Sequence, residues 1–111
     1  MKLIIDRREW LRGEGPGPSK LLRSSDGKRC CVGIYARALG VHDGSILNCS
    51  WPGERCVWHA DEAPWLPIHP EEDARDSLSC LNDDPALDDA TRERLITERF
   101  AEHDVDVTFI N

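Results

Sequence analysis

The spacing of apolar and polar positions predicts a β-strand near each end of the chain. Residues 3–5 form a short run of Leu and Ile between polar residues, and β-branched runs of this kind favour strands. Near the other end, Val105, Val107 and Phe109 occupy every second position, which is the period of a strand with one buried face. We expect the two strands to be neighbours in one small sheet.

Apolar residues spaced three and four apart predict two main helices. The apolar positions of the first helix are Cys31, Ile34, Tyr35, Ala38 and Leu39. Gly40 suits the left-handed position that ends a helix. The second helix has Asp88 as its predicted N-cap and runs to about His103. Its inward-facing residues are Leu95, Ile96 and Phe100.

Two further features concern the middle of the chain. Gly33 lies inside the first helical pattern, where glycine costs about 1 kcal/mol relative to alanine, so we expect another backbone to pack closely against it.

No period persists from residue 41 to residue 70. A short helix is then predicted to start at Pro70, with Leu78 and Leu81 facing inward, and to stop at residues 82–85.

These elements predict a single α+β domain over residues 1–111, with two main helices packed on a small sheet that includes the N- and C-terminal strands. A chain of 111 residues is long enough for one modest core but not for two. No apolar run approaches the ~20 residues that span a bilayer, and the start of the chain does not resemble a secretory signal. We therefore expect a cytoplasmic protein without membrane contact.

Charge is unevenly distributed along the chain. The net charge is −7; residues 1–40 carry nine basic and four acidic residues, whereas residues 41–111 carry five basic and seventeen acidic residues. The balance of −12 beyond residue 40 disfavours direct nucleic-acid binding and favours an acidic face for a basic protein surface. The alternative is a solvated surface that keeps the protein soluble. The candidate binding residues are Glu71, Glu72, Asp73, Asp76, Asp83 and Asp84.

The five cysteines raise the question of thiol chemistry. Their number is odd and no export signal is evident, so we expect free thiols. Cys30 and Cys31 stand at a predicted helix start beside two basic residues, where the helix dipole and the cations would favour a thiolate. A nucleophile there could use His59 as its base, with Asn82 to orient the imidazole. The alternative is a pair of buried structural thiols.

A second set of thiols suggests a metal site. Cys49, Cys56 and His59 lie within a short turn-rich stretch, and Cys80 is a candidate fourth ligand. Structural zinc sites usually pair their ligands at short spacing in both halves of the site. Only Cys56 and His59 meet that spacing, so we expect no cofactor and keep zinc as the alternative.

Short motifs extend over most of the chain. Residues 27–33 read Gly-Lys-Arg-Cys-Cys-Val-Gly and open the first helix. Together with the other matching segments, they resemble a group of small uncharacterised proteins encoded by bacteriophages and prophages, whose pattern includes Gly-Lys-x-Cys-Cys-Leu-Gly and a later Leu-x-Asn-Asp. Val32 stands where that pattern has Leu. The other matching residues are Trp10, Arg12-Gly13, Leu21-Leu22, Leu66-Pro67 and Leu81-Asn82-Asp83.

The resemblance implies a phage-type accessory protein with no established activity. Because the pattern contains cysteines but no histidine, it favours a structural role in which Asn82 and Asp83 tie a turn to the cysteine helix. We therefore hypothesise a non-enzymatic protein of the bacterial cytoplasm that binds a host protein through an acidic surface, as an inhibitor of a host-defence or nucleic-acid-binding protein would. The alternatives are a thiol-dependent enzyme or redox protein using Cys31 or Cys30, and a zinc-stapled binding module.

Overall fold

The fold is the α+β class that the sequence predicts. The computed structural model describes residues 1–13, 19–50, 65 and 77–111. Within them the elements are, in chain order, β1 (Lys2–Asp6), α1 (Cys31–Ala38), α2 (Asp43–Ile46), α3 (Leu78–Asp83), α4 (Asp89–Ala101) and β2 (Asp106–Ile110). The strands come from the two ends of the chain, and the main helices pack against them.

The sheet consists of β1 and β2, which pair in parallel with Ile4 opposite Thr108. The prediction that the terminal strands are neighbours is therefore confirmed. Leu3, Ile5 and Val107 are buried on the inner face of the sheet, against the core. Ile4 lies on the outer face and is exposed, as the two-residue period of a strand requires.

The cysteine helix α1 is shorter and more deeply buried than predicted. Its residues 31–36 are all buried, whereas Ala38, predicted to face inward, is exposed. The last turn of α1 extends beyond the core, so Ala38 is exposed although it lies on the same helix face as the buried apolar residues. Gly40 follows the helix with a φ of +85°, which confirms its predicted role as the left-handed stop.

Gly33 is the position at which α1 approaches another segment most closely. A Cβ added to Gly33 would lie 1.7 Å from the carbonyl oxygen of Leu21. No side chain fits at that distance, so the predicted close backbone packing is confirmed. Only glycine lets α1 lie against the segment that contains Leu21.

Helix α4 has the predicted start and ends two residues earlier than predicted. Asp88 Oδ1 accepts a hydrogen bond from the Thr91 N–H at 2.7 Å, which makes Asp88 the N-cap. Ile96 and Phe100 are fully buried, while Leu95 is half-buried.

Helix α3 begins at Leu78, and the helix start predicted at Pro70 lies outside the described residues. Ser77 is its N-cap: the Ser77 backbone is extended, and its hydroxyl accepts from the Cys80 N–H at 3.3 Å. Residues 70–76 lie outside the described part of the chain. The predicted end within residues 82–85 is confirmed, because α3 stops at Asp83.

Helix α2 was not predicted. It has four residues, and His42 Nδ1 accepts a hydrogen bond from the Gly44 N–H at 3.0 Å at its start. A single turn is too short for a helical period to be visible in the sequence.

Candidate functional site

The side chain of Asn82 links three separate segments of the chain and is fully buried. Its Oδ1 accepts from Trp10 Nε1 at 2.8 Å and from the Cys31 backbone N–H at 3.0 Å. Its Nδ2 donates to the Leu11 carbonyl at 3.0 Å and to Asp83 Oδ1 at 2.9 Å. Both lone pairs and both protons of the amide are thus used, which leaves none to orient a catalytic imidazole.

This amide also serves α1 directly. The N-cap residue Cys30 makes no side-chain capping bond, and the Cys31 N–H is one of the amides that a helix start leaves without an intrahelical partner. Asn82 supplies that partner from α3. The expectation that Asn82 ties a turn to the cysteine helix is confirmed.

Asp83 is also committed to holding the fold together. Its carboxylate accepts from the Gly13 N–H at 3.2 Å and from the Ser19 N–H at 2.8 Å, and the Ser19 hydroxyl donates to it as well. Together with the bond from Asn82, this engages the carboxylate on several sides. Asp83 therefore joins α3 to Gly13 and Ser19.

The thiols at the start of α1 are buried, with Cys30 5% and Cys31 0% exposed. Burial raises the pKa of the Cys30 thiol to about 12. Burial, and then the neighbouring Cys30, also raise the pKa of Cys31 well above its usual value. The burial agrees with the alternative of structural thiols, and the direction of both pKa shifts is opposite to the one that a thiolate nucleophile needs. Arg29, one of the cations expected to favour a thiolate, instead places its guanidinium 2.8 Å from Asp43.

The candidate metal ligands are only partly covered by the described residues. Cys49 is fully buried, and its thiol contacts the Ser45 and Leu47 carbonyls at 3.8 and 3.7 Å. Cys80 is half-buried on α3. Cys56 and His59 lie outside the described residues.

Within the described ranges, no three His, Cys, Asp or Glu side chains are grouped so that they could hold a metal ion. The four described cysteines, Cys30, Cys31, Cys49 and Cys80, are not in disulfide bonds, in agreement with the expectation for these four.

A shallow, open depression of about 450 Å³ lies at the C-terminal end of α3, lined by Cys80, Asp83, Asp84 and Pro85. Asp84 Oδ1 accepts from the Ala86 N–H at 2.9 Å. Its Oδ2 has no hydrogen-bond partner in the described part of the chain. We call these lining residues the α3 pocket. It offers a carboxylate oxygen to a cationic group and the Pro85 ring to an apolar stem.

The structure brings two of the predicted acidic binding residues, Asp83 and Asp84, together at the α3 pocket. The other four, Glu71, Glu72, Asp73 and Asp76, lie outside the described residues, as does His59. Asp83 and Asp84 differ in their partners: the carboxylate of Asp83 is hydrogen-bonded to Gly13, Ser19 and Asn82, whereas that of Asp84 accepts only from Ala86 among the described residues.

Arg92 is a residue whose importance the sequence analysis missed. It is 6% exposed, and its Nη2 donates to the Asp84 carbonyl at 2.6 Å and to the Leu87 carbonyl at 3.0 Å. Asp89 pairs with its Nη1 at 2.9 Å. Arg92 thereby fixes the backbone of the α3–α4 connection that carries Asp84. The signal in the sequence that could have indicated this role is the position of the arginine, four residues after the N-cap Asp88.

Comparison with protein-family models, curated proteins and solved structures found no match for the chain. None of the described helices is long and apolar enough to cross a membrane.

Proposed function

We propose that this chain is a non-enzymatic accessory protein of bacteriophage type that acts in the bacterial cytoplasm by binding a host protein. The α3 pocket is the contact site, and Asp84 is its recognition carboxylate. The acidic residues of segment 71–76 are proposed as further contacts because of their charge and their proximity in sequence to α3.

The observation that carries the proposal is the Asp84 carboxylate in the α3 pocket. One of its oxygens is held by Ala86, which fixes the direction of the other. The α3 pocket is open to solvent, so a lysine or arginine side chain can reach it, with its apolar stem on Pro85 and its head on Asp84. The occupant is therefore a basic side chain of a partner protein.

The charge of the surrounding chain supports the same kind of partner. Residues 77–111 carry nine acidic and three basic residues. An excess of this sign attracts a basic protein surface and repels the nucleic-acid backbone. Proteins with basic surfaces include those that bind nucleic acids, so inhibition of a host-defence or nucleic-acid-binding protein by covering that surface belongs to the proposal.

The burial of Cys30 and Cys31 argues against the alternative of a thiol enzyme or redox protein. A thiol that stays protonated at neutral pH is a poor nucleophile. A substrate would also have to reach sulfur atoms that the core encloses.

The test is a pull-down from bacterial lysate with three proteins: the unaltered chain, Asp84→Asn and Asp104→Asn. Asn keeps the oxygen that accepts from Ala86, so Asp84→Asn removes the charge with little change in structure. Asp104 is exposed and far along the chain from the α3 pocket, and its φ of +61° is one that Asn tolerates. It is the matched control for the loss of one charge.

We expect the unaltered chain and Asp104→Asn to capture the same basic protein at low salt and to lose it at high salt, because salt screens charge attraction. Asp84→Asn should weaken capture about tenfold, or about 1.4 kcal/mol. A further variant neutralises Glu71, Glu72, Asp73 and Asp76 together. If neither this variant nor Asp84→Asn alters any captured protein, the proposal fails.

A further inference from the structure

Strand β1 has an open hydrogen-bonding edge. At the two ends of the sheet, the Asp106 N–H donates to the Met1 carbonyl at 2.8 Å and the Arg7 N–H donates to the Ile110 carbonyl at 3.0 Å. Since successive residues of a strand point to opposite sides, these bonds turn the odd-numbered residues of β1 toward β2. The even-numbered residues, with Ile4 at the centre, direct their N–H and C=O groups away from β2.

Ile4 makes this edge unusual among strand edges. In the described part of the chain the sheet has two strands, so the edge of β1 toward which the Ile4 N–H and C=O point has no partner strand, and the Ile4 side chain is 58% exposed on the outer face of the sheet. An unpaired edge with an apolar centre is a template for another strand, and soluble proteins usually protect such edges. Something is expected to cover it.

The sequence of β1 indicates what the partner is. The strand reads Lys2-Leu3-Ile4-Ile5-Asp6, with opposite charges two residues to either side of Ile4. Asp6 is ionised at neutral pH, because hydrogen bonds from Arg8 lower its pKa to about 2. Its carboxylate pairs with Arg8 at 2.9 Å and its C=O accepts from the Glu9 N–H at 3.0 Å, so Lys2 of a second copy would share the carboxylate with Arg8. Reversed and laid against itself with Ile4 opposite Ile4, the strand matches each lysine with an aspartate.

We propose that a second copy of this chain adds to the edge of β1, so that the two β1 strands run antiparallel about a two-fold axis at Ile4. The two Ile4 residues then exchange N–H···O=C bonds, with their Cα atoms about 5.5 Å apart. Lys2 of each copy faces Asp6 of the other. The result is a continuous four-stranded sheet and a self-complementary interface, the kind that closes a dimer.

The edge of β2 does not have this property. Centred on Thr108, an antiparallel β2 pair would place Asp106 opposite Ile110, so that neither end gains an opposite charge. The residues of β2 that point to its outer edge are Val107 and Phe109, whose side chains belong to the inner face. Self-pairing is therefore assigned to β1 alone.

The test is the molar mass of the purified full chain, measured by sedimentation equilibrium over a wide range of concentration. We expect the mass to rise from 12.6 kDa to twice that value. Ile4→Lys should remain monomeric, because it places two like charges at the axis. Thr108→Lys is the matched control: it adds a lysine on the same outer face but one strand from the axis, and should still dimerise.

A second variant tests the backbone pairing itself. Ile4→Pro removes an N–H that makes no bond to β2, and proline is accepted on an open edge, so circular dichroism should show the native fold while the dimer is lost. A wild-type mass of 12.6 kDa at every concentration would overturn the proposal. Equal dimerisation of Ile4→Lys and Thr108→Lys would also overturn it. A third contrary result is that both lysine variants are monomeric while Ile4→Pro still dimerises, because this combination indicates a contact through the face of the sheet instead of its edge.

Discussion

At the scale of single residues, the fold depends on one buried amide. Asn82 joins the indole of Trp10, the first N–H of α1 and the backbone at Leu11, and it orients the neighbouring Asp83. Inside a core, each of these groups would be costly without a partner. The amide satisfies them together, so we assign it a structural role.

Asn82→Ala should lower the free energy of unfolding by about 4 kcal/mol, because it leaves two donors and one carbonyl buried without partners, each worth about 1–3 kcal/mol. Asn82→Asp should be at least as damaging, since it loses both amide donors and sets a second carboxylate beside Asp83. Urea denaturation measures the change.

Asn48→Gly is the matched control for this residue. Asn48 has a φ of +57°, which glycine adopts without strain. Its side-chain bonds to Ser24 lie in an exposed turn, where water can replace them, so its loss should cost about 1 kcal/mol. Equal costs at positions 48 and 82 would show that Asn82 does not hold the core together.

At the scale of elements, α1 is positioned by its fit against the chain at Leu21. The helix has eight residues, which is too short to be stable alone, so its stability depends on burial. Gly33 permits that burial by allowing direct backbone contact. The two thiols at its start fill core volume and carry no charge.

Gly33→Ala should destabilise the protein by about 3 kcal/mol or more, because the new methyl group would meet a backbone carbonyl that cannot move without shifting α1. Gly40→Ala is the control. A Cβ at Gly40 meets nothing within 4 Å, so Gly40→Ala should lower the free energy of unfolding only by the cost of a left-handed backbone at alanine, about 1–2 kcal/mol. Chemical denaturation of both variants should give this order, and the reverse order would contradict the assigned packing.

The buried thiols of α1 predict a loss of stability at alkaline pH. In the unfolded chain a thiol titrates near its usual value of 9.0, whereas in the folded protein the pKa of Cys30 is about 12. Above pH ~9 the unfolded state therefore binds fewer protons than the folded state, and the free energy of unfolding falls by about 1 kcal/mol per pH unit for each thiol. Below that pH the contribution is fully present.

Denaturation with urea from neutral pH to about pH 10.5, under reducing conditions, measures this slope. The double variant Cys30→Ala, Cys31→Ala should be less stable at neutral pH but should lose less stability as the pH rises. An equal slope in the two proteins would mean that these thiols ionise in the folded state.

At the scale of the whole molecule, the sequence predicts the elements better than it predicts the site. The terminal strands and the main helices have clear periods, and the caps at Asp88 and Gly40 are local features. The partners of Asp83 are Gly13 and Ser19, which lie far away in the sequence. The resemblance favours a structural role for Asp83, but the identity of its partners and the availability of Asp84 depend on tertiary contacts that no local pattern reveals.

The thiols show the same limit in another way. Their position at a helix start, beside cations, is visible in the sequence and favours a thiolate. The sequence does not reveal that these thiols are buried, or that the Arg29 guanidinium pairs with Asp43. Once the chain is folded, desolvation of Cys30 and Cys31 outweighs the helix dipole and raises the pKa of both thiols.

In the proposed function the protein binds a basic partner through Asp84. The dissociation constant of the captured partner, measured for the unaltered chain and for Asp84→Asn at low and at high salt, tests this role of Asp84. We expect Asp84→Asn to bind about tenfold more weakly at low salt, with a smaller difference at high salt, where the charge is screened. Equal dissociation constants for the two proteins at both salt concentrations would rule out recognition through Asp84.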